Sequence, residues 1–139
     1  MRVMVLVKGT PEEEAGSAGS EAEFAAMGWF NEELVNAGVM LAGEGLLPSS
    51  EGVRVRFDGA TRTVIDGPFT EAKELIAGFW IWQVRSMDEA IQWLKKAPFD
   101  GGAEIEIRRV AEADDLGEAY TPELRAQEER IRAKAAARQ

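Results

Sequence analysis

The chain contains neither cysteine nor histidine. The absence of cysteine excludes disulfides, thiolate nucleophiles and thiolate metal sites. The absence of histidine removes the commonest general base at neutral pH and the commonest zinc ligand. Acid–base chemistry would therefore have to come from carboxylates, lysine or the single tyrosine, Tyr120. We expect no metal site.

Positive charge and long apolar runs are also scarce. The chain has 16 Lys and Arg against 25 Asp and Glu, which gives a formal net charge of −9. This balance argues against binding to nucleic acid or to an anionic membrane surface. No segment approaches the ~20 apolar residues of a membrane helix. The amino-terminal run Val3–Val7 is too short for a signal peptide. We therefore expect a cytoplasmic protein without nucleic-acid or membrane partners.

Four predicted strands and two predicted helices alternate in the order βαββαβ. Each helix begins at a capping box, in which a serine accepts the backbone N–H of a glutamate three residues later. These boxes are Ser20–Glu23 and Ser86–Glu89. Continuous or alternating apolar residues mark the strands. The strands are Val3–Val7, Val39–Ala42, Phe79–Val84 and Glu104–Arg108.

Three further segments lie outside this unit. Val53–Phe57 and Thr63–Ile65 alternate around Asp58-Gly59 and predict an inserted β-hairpin. Thr10–Glu13 resembles a helix start, but glycines follow closely, so we expect a turn or loop. Thr121-Pro122-Glu123 begins a C-terminal helix. We expect the hairpin arginines in solvent, paired with acids of neighbouring strands rather than with nucleic acid; they are Arg54, Arg56 and Arg62.

The element order predicts an α+β, ferredoxin-like fold in which the first and third strands are central. Two helices cover only one face of such a sheet, while both central strands carry apolar side chains on both faces. A second sheet from an identical subunit would cover the other face and form a dimeric α+β barrel. Covering by the C-terminal helix is the alternative. We place the main domain at residues 1–111 and the C-terminal extension at 112–139.

The connection from Asp66 to Glu74 is the most informative stretch of the chain. Asp-Gly-Pro is a strong turn signal and leads to Phe69 and several charged side chains. In a functional interpretation Lys73 holds an anionic or carbonyl-bearing ligand, while Asp66 or Glu74 acts as a base. In an architectural interpretation Asp66 satisfies the amides of the turn and Lys73 pairs with a neighbouring acid.

Two further positions are candidates for a ligand site. Glu44 lies between Gly43 and Gly45, where the backbone can approach a ligand closely, and it is either the partner of Lys73 in an ion pair or an acid with a shifted pKa. Trp80 shares one face of its strand with Trp82 and lines a ligand cavity or belongs to the core or the dimer interface. The glycines are too few and wrongly spaced for a dinucleotide or phosphate loop, so we expect no cofactor.

Several motifs together resemble the YCII-related proteins, in particular the branch marked by the sequence DGPF. The resemblance implies a ferredoxin-like fold, a dimeric α+β barrel and a pocket between helix, sheet and the 66–74 connection. Some members of this branch resemble companions of alternative sigma factors, which implies a protein partner for the C-terminal helix. The matching segments are Leu41–Leu46, Asp66–Glu74, Ala77–Phe79, Asp88–Ile91 and Glu106–Val110.

The chain departs from the wider family at its proposed catalytic pair. Those relatives carry a histidine in the first helix and an aspartate before the proline that ends the second. Here there is no histidine, and Ala97 precedes Pro98.

We therefore predict a homodimeric small-molecule-binding protein with a pocket beside the 66–74 connection. An enzyme using Asp66, Lys73 and Glu74, and a protein-interaction module linked to transcription regulation, are the alternatives.

Overall fold

The computed structural model describes residues 1–71 and 74–138. They divide into two compact units, Met1–Arg109 and a second that begins at Val110. The second unit contains a 3₁₀ turn, Ala113–Leu116, and helix α4, Pro122–Ala137. In the first unit the elements are β1 Arg2–Lys8, α1 Pro11–Glu14, α2 Glu21–Asn36, β2 Met40–Gly45, β3 Val53–Asp58, β4 Thr61–Asp66, β5 Ile76–Gln83, α3 Met87–Leu94 and β6 Ile105–Arg109.

The described residues form antiparallel sheets and four helices, which confirms the predicted α+β class. Each helix begins at a hydroxyl cap that accepts the backbone N–H three residues later. The caps are Thr10, Ser20, Ser86 and Thr121. Within the described ranges, none of these helices is long and apolar enough to cross a membrane.

Helix α1 corrects a prediction, because Thr10–Glu13 was expected to form a turn or loop. The Thr10 hydroxyl accepts the N–H of Glu13, and Pro11 occupies the first helical position. The helix is only four residues long and ends before Gly16, whose φ is +100°. The downstream glycine therefore sets where the helix ends and does not prevent it from starting.

The main sheet has four antiparallel strands in the order β2-β5-β1-β6. Strands β1 and β5 are central, and their register sets Val5 opposite Trp80 and Leu6 opposite Phe79. The edge strands are β2 and β6. This arrangement is consistent with a ferredoxin-like fold.

The two faces of this sheet differ in burial. On the face that we call the helix face, Val3, Val5, Trp80 and Trp82 are buried beneath α2 and α3. Helix α2 contributes Phe30 and Leu34 to this core, and α3 contributes Ala90. The opposite face, which we call the second face, carries Met4, Leu6, Phe79 and Ile81. These four side chains are only half-buried.

The helices bury narrow apolar stripes. Phe24 and Val35 of α2 are apolar but exposed, and so are Met87 and Ile91 of α3. A straight helix on a sheet buries mainly residues three or four positions apart along one line, such as Phe30 and Leu34. Apolar residues outside that line remain in solvent.

Strands β3 and β4 form a separate two-stranded sheet. Both of its faces are largely exposed, so the arginines lie in solvent as predicted, but Val53, Val55, Phe57 and Val64 are exposed as well. Among the described residues, two of the hairpin arginines lie over aromatic rings and not in the predicted pairs with acids. The Arg62 guanidinium lies 4.5 Å from the Phe57 ring centroid, and that of Arg54 lies 3.8 Å from the Phe69 centroid.

Candidate functional site

The structure places Glu44 and Trp80 on opposite faces of the main sheet. Glu44 pairs with Phe79 across β2 and β5, so it shares the second face with Phe79, and it is exposed. Trp80 is the next residue of β5 and therefore points to the helix face. These two predicted site residues do not line one surface.

The Trp80 indole is held within the core. Its Nε1–H donates to Asn31 Oδ1 at 2.9 Å, and its ring contacts Phe30 and Phe99 edge-on. A Cβ on Gly43 would lie 2.6 Å from Trp80 Cδ1. The close approach predicted at this glycine is therefore made by the indole of Trp80.

The charged residues of the 66–74 connection have different surroundings. Asp66 ends β4 opposite Val53 and is exposed. Glu74 is also exposed, and its N–H donates to the carbonyl of Glu71. Lys73, the predicted ligand-holding cation, lies outside the described residues.

The start of this connection is fastened by Ser49, a residue that sequence reasoning did not select. The N–H of Phe69 donates to Ser49 Oγ at 3.0 Å. The Ser49 hydroxyl donates in turn to Glu14 Oε2, and the Ser49 N–H donates to Glu14 Oε1 at 3.0 Å. Glu14 and Ser49 are 35 residues apart, and no local motif joins them. The helix-start signal at Thr10 would have located α1 and hence Glu14.

The close packing of the turn against Ser49 requires a glycine at position 67. Its N–H donates to the Gly52 carbonyl at 2.9 Å, and a Cβ at this position would lie 1.8 Å from the Ser49 carbonyl oxygen. On the other side, Arg54 stacks on the Phe69 ring. The Asp66–Phe69 turn is thus held between the 3₁₀ turn Ser49–Glu51 and strand β3.

The connection rejoins the sheet at the end where charged residues border the second face. Gly9 N–H donates to the Leu75 carbonyl at 2.7 Å, next to Lys8. The Lys8 ammonium lies 3.1 Å from Glu106 Oε1 on β6. Pairing across the four strands gives one row on the second face, in the order Glu106, Leu6, Phe79 and Glu44.

This row offers an apolar floor with a carboxylate at each side and an ammonium beside one of them. Carboxylates accept hydrogen bonds from ligand hydroxyl or amino groups, and an ammonium donates to carbonyl or carboxylate oxygens. Apolar surface with a few convergent polar groups is typical of small-molecule sites. Chemically, the row can bind and orient a ligand. Within the described ranges, no three carboxylates lie close enough together to hold a metal ion.

Two shallow cavities lie elsewhere. One, of about 430 Å³, lies between the end of β5 and helices α2 and α3, and it includes none of the predicted site residues. At its rim Arg85 Nε donates to Glu89 Oε2 at 2.7 Å, and this hydrogen bond, together with the charge of Glu89, raises the pKa of Arg85. The other, of about 320 Å³, lies within the second unit beside Tyr120 and Arg125.

Similar proteins include a solved structure and a curated protein of unassigned function. The structure is 5-chloro-2-hydroxyhydroquinone dehydrochlorinase from Burkholderia phenoliruptrix in complex with 2,5-dihydroxybenzoquinone, with 20% identity and a TM-score of 0.41 over 83% of this chain and 99% of that one. The curated protein, an uncharacterized protein of Rhizobium meliloti, is 34% identical over 50 residues. That match spans 36% of this chain and only 40% of the relative.

A family model provides the assignment. The model of the YCII-related domain matches residues 1–114, which include every strand and the first three helices. The family named by the motifs is therefore confirmed, and this chain belongs to the YCII-related family.

Proposed function

We propose that the chain is a homodimeric small-molecule-binding protein of the DGPF-motif branch, in which two copies form an α+β barrel. The observation that carries the proposal is the difference between the two faces of the main sheet. Val3, Val5 and Trp82 are fully buried on the helix face, whereas Met4, Leu6, Phe79 and Ile81 are half-buried on the second face. Packing two second faces together would remove that apolar surface from water.

The ligand site lies at the end of the second face where the 66–74 connection enters. Leu6 and Phe79 form its floor, Glu44 and Glu106 its sides, and Lys8 neutralises Glu106. Asp66, Lys73 and Glu74 are the candidate ligand-binding residues of the 66–74 connection. The arrangement suits a small molecule with an apolar body and hydrogen-bonding groups at its edges.

Binding is favoured over catalysis because the proposed YCII catalytic pair has no counterpart in this chain. An enzyme that uses Asp66, Lys73 and Glu74 as acid and base remains the first alternative. The second is a protein-interaction module with a partner from transcription regulation. Its support is helix α4, where Leu124 and Ile131 are exposed at positions seven residues apart, on one side of the helix.

The test combines mass and ligand stabilisation. Light scattering at micromolar concentration is expected to give twice the 15.2 kDa of the chain. A thermal-shift screen of small phenols, amines and carboxylic acids is expected to yield ligands that raise the Tm of the wild type. Such a ligand should lose most of its effect on Glu44→Gln, while the control Glu32→Gln, exposed on α2, keeps it.

Two results would contradict the proposal. A monomer at micromolar concentration would remove the barrel. A dimer that no compound stabilises, or one whose ligands act equally on Glu44→Gln and Glu32→Gln, would remove the binding site on the second face.

A further inference from the structure

The β3–β4 hairpin exposes an apolar face that has the pattern of a buried one. Strand β3 carries an apolar residue at every second position: Val53, Val55 and Phe57. On β4, Val64 lies opposite Val55. These four residues form what we call the apolar hairpin face. Their exposures are 60%, 47%, 71% and 64% respectively. Strict alternation of this kind normally marks a strand face that is covered.

The other face of the hairpin is the one that meets the rest of its own unit. It carries Arg54, whose guanidinium stacks on Phe69 of the Asp66–Phe69 turn. The base of the hairpin is fixed by the bond from Gly67 N–H to the Gly52 carbonyl. The apolar hairpin face is thus held pointing away from Phe69.

Two opposite charges lie at the two ends of this face, both on β4. The register puts Asp66 opposite Val53 at the base and Arg62 opposite Phe57 at the tip. The stacking of Arg62 on the Phe57 ring shows that both residues lie on the same side of the hairpin. From the tip of β4 to its base, the face carries the cation Arg62, the apolar Val64 and the anion Asp66.

This pattern is complementary to itself. When two such faces meet about a two-fold axis that crosses the strands, the tip of one hairpin lies over the base of the other. Arg62 then faces Asp66 of the second copy, twice, and Val64 faces Val64 across the axis. With the axis along the strands instead, Arg62 would face Phe57 of the second copy and no charges would pair. Charge complementarity therefore selects the crossing arrangement.

We propose that the apolar hairpin face binds the same face of a second copy of this chain, in this crossing arrangement. The inference rests on the homodimer proposed above. Two strands of six residues cover roughly 200 Å² at ordinary strand spacings. A stable interface needs about 800 Å² per partner. The hairpins therefore add to the interface of that homodimer and align its subunits.

The absence of cysteine from the sequence makes a direct test possible. Val64→Cys, near the two-fold axis, is expected to form an interchain crosslink on mild oxidation or with a short bis-maleimide. The matched control is Thr63→Cys, the preceding residue of the same strand, which lies on the opposite face and is also exposed. It should crosslink at least tenfold more slowly.

A charge exchange tests the orientation in the Val64→Cys background. Arg62→Asp alone and Asp66→Arg alone should each slow crosslinking by about tenfold, because each brings like charges together. The double variant Arg62→Asp/Asp66→Arg should restore the original rate. Lack of restoration would overturn the crossing arrangement.

The outcomes separate this inference from the homodimer on which it rests. A dimer by light scattering in which Val64→Cys and Thr63→Cys crosslink equally slowly would overturn the hairpin contact and leave the barrel standing. A monomer by light scattering would overturn both. Binding of a different protein to the hairpin, with no crosslink between copies, would also overturn the inference.

Discussion

The two faces of the main sheet are built from the same strands and nearly the same kinds of residue, yet only one is sealed. Val5 and Trp82 are buried completely, whereas their immediate neighbours Leu6 and Ile81 are half-buried. Since the strands alternate, composition alone does not distinguish the faces. The difference comes from the cover: Phe30 and Leu34 of α2 and Ala90 of α3 join the core of the helix face.

The largest effect that this contrast predicts is on stability. Trp82→Ala should lower the free energy of unfolding by about 3–5 kcal/mol, because it leaves a cavity in a closed core. Ile81→Ala, one residue earlier and on the second face, should lower it by about 1–2 kcal/mol. Urea unfolding of both variants, at protein concentrations below the dimer dissociation constant, measures the difference in their unfolding free energies. Equal losses would mean that the two faces are equally well covered.

The second effect is on assembly. Leu6→Asp places a charge on the apolar second face that the proposed dimer encloses and should raise the dimer Kd by about 100-fold, or ~2.7 kcal/mol. The fold of the subunit should persist, because the half-buried position can still reach water. Analytical ultracentrifugation measures the Kd, and circular dichroism checks the fold. Glu104→Asn, an exposed change just before β6, is the control.

A dimer that is unchanged by Leu6→Asp would place the subunit contact elsewhere. The barrel proposal would then lose its main support, since the second face is the reason for pairing two sheets.

A third effect concerns the turn that leads to the second face. Gly67→Ala brings a methyl group onto the Ser49 carbonyl and should cost about 2 kcal/mol of unfolding free energy through overpacking. Gly101→Ala is the matched control, because no atom lies within 4 Å of its added Cβ. Urea unfolding compares the two variants. Equal stability of both would show that the turn yields freely and does not fix the site.

The sequence predicted the parts of this fold that depend on local chemistry. Ser20, Ser86 and Thr121 were each expected to cap a helix, and all three predictions are confirmed. The α+β class and the YCII-related family are confirmed as well. Such features depend on residues a few positions apart, whose interactions the sequence displays directly.

Contacts between residues far apart in the sequence, and the cover of each strand face, could not be predicted from local patterns. The bonds between Glu14 and Ser49 join residues that share no motif. Alternation in β3 showed that Val53 and Val55 share a face, but not whether anything covers it. For the candidate site, Glu44 and Trp80 differ in register by one position, which is enough to put them on opposite faces. The roles of Asp66, Lys73 and Glu74 stay predictions.

The smallest predicted effect is a difference in stability between variants of two tryptophans on the helix face, Trp80 and Trp82. Trp80 Nε1 donates to Asn31 Oδ1, whereas the buried Trp82 Nε1 has no hydrogen-bond partner among the described residues. Trp80→Phe and Trp82→Phe remove the same volume, but only Trp80→Phe also breaks a hydrogen bond. Trp80→Phe should therefore be the more destabilising, by about 1 kcal/mol. Parallel urea titrations measure the gap. Trp82→Phe proving the costlier change would show that its N–H is satisfied and that the helix face is less dry than its burial indicates.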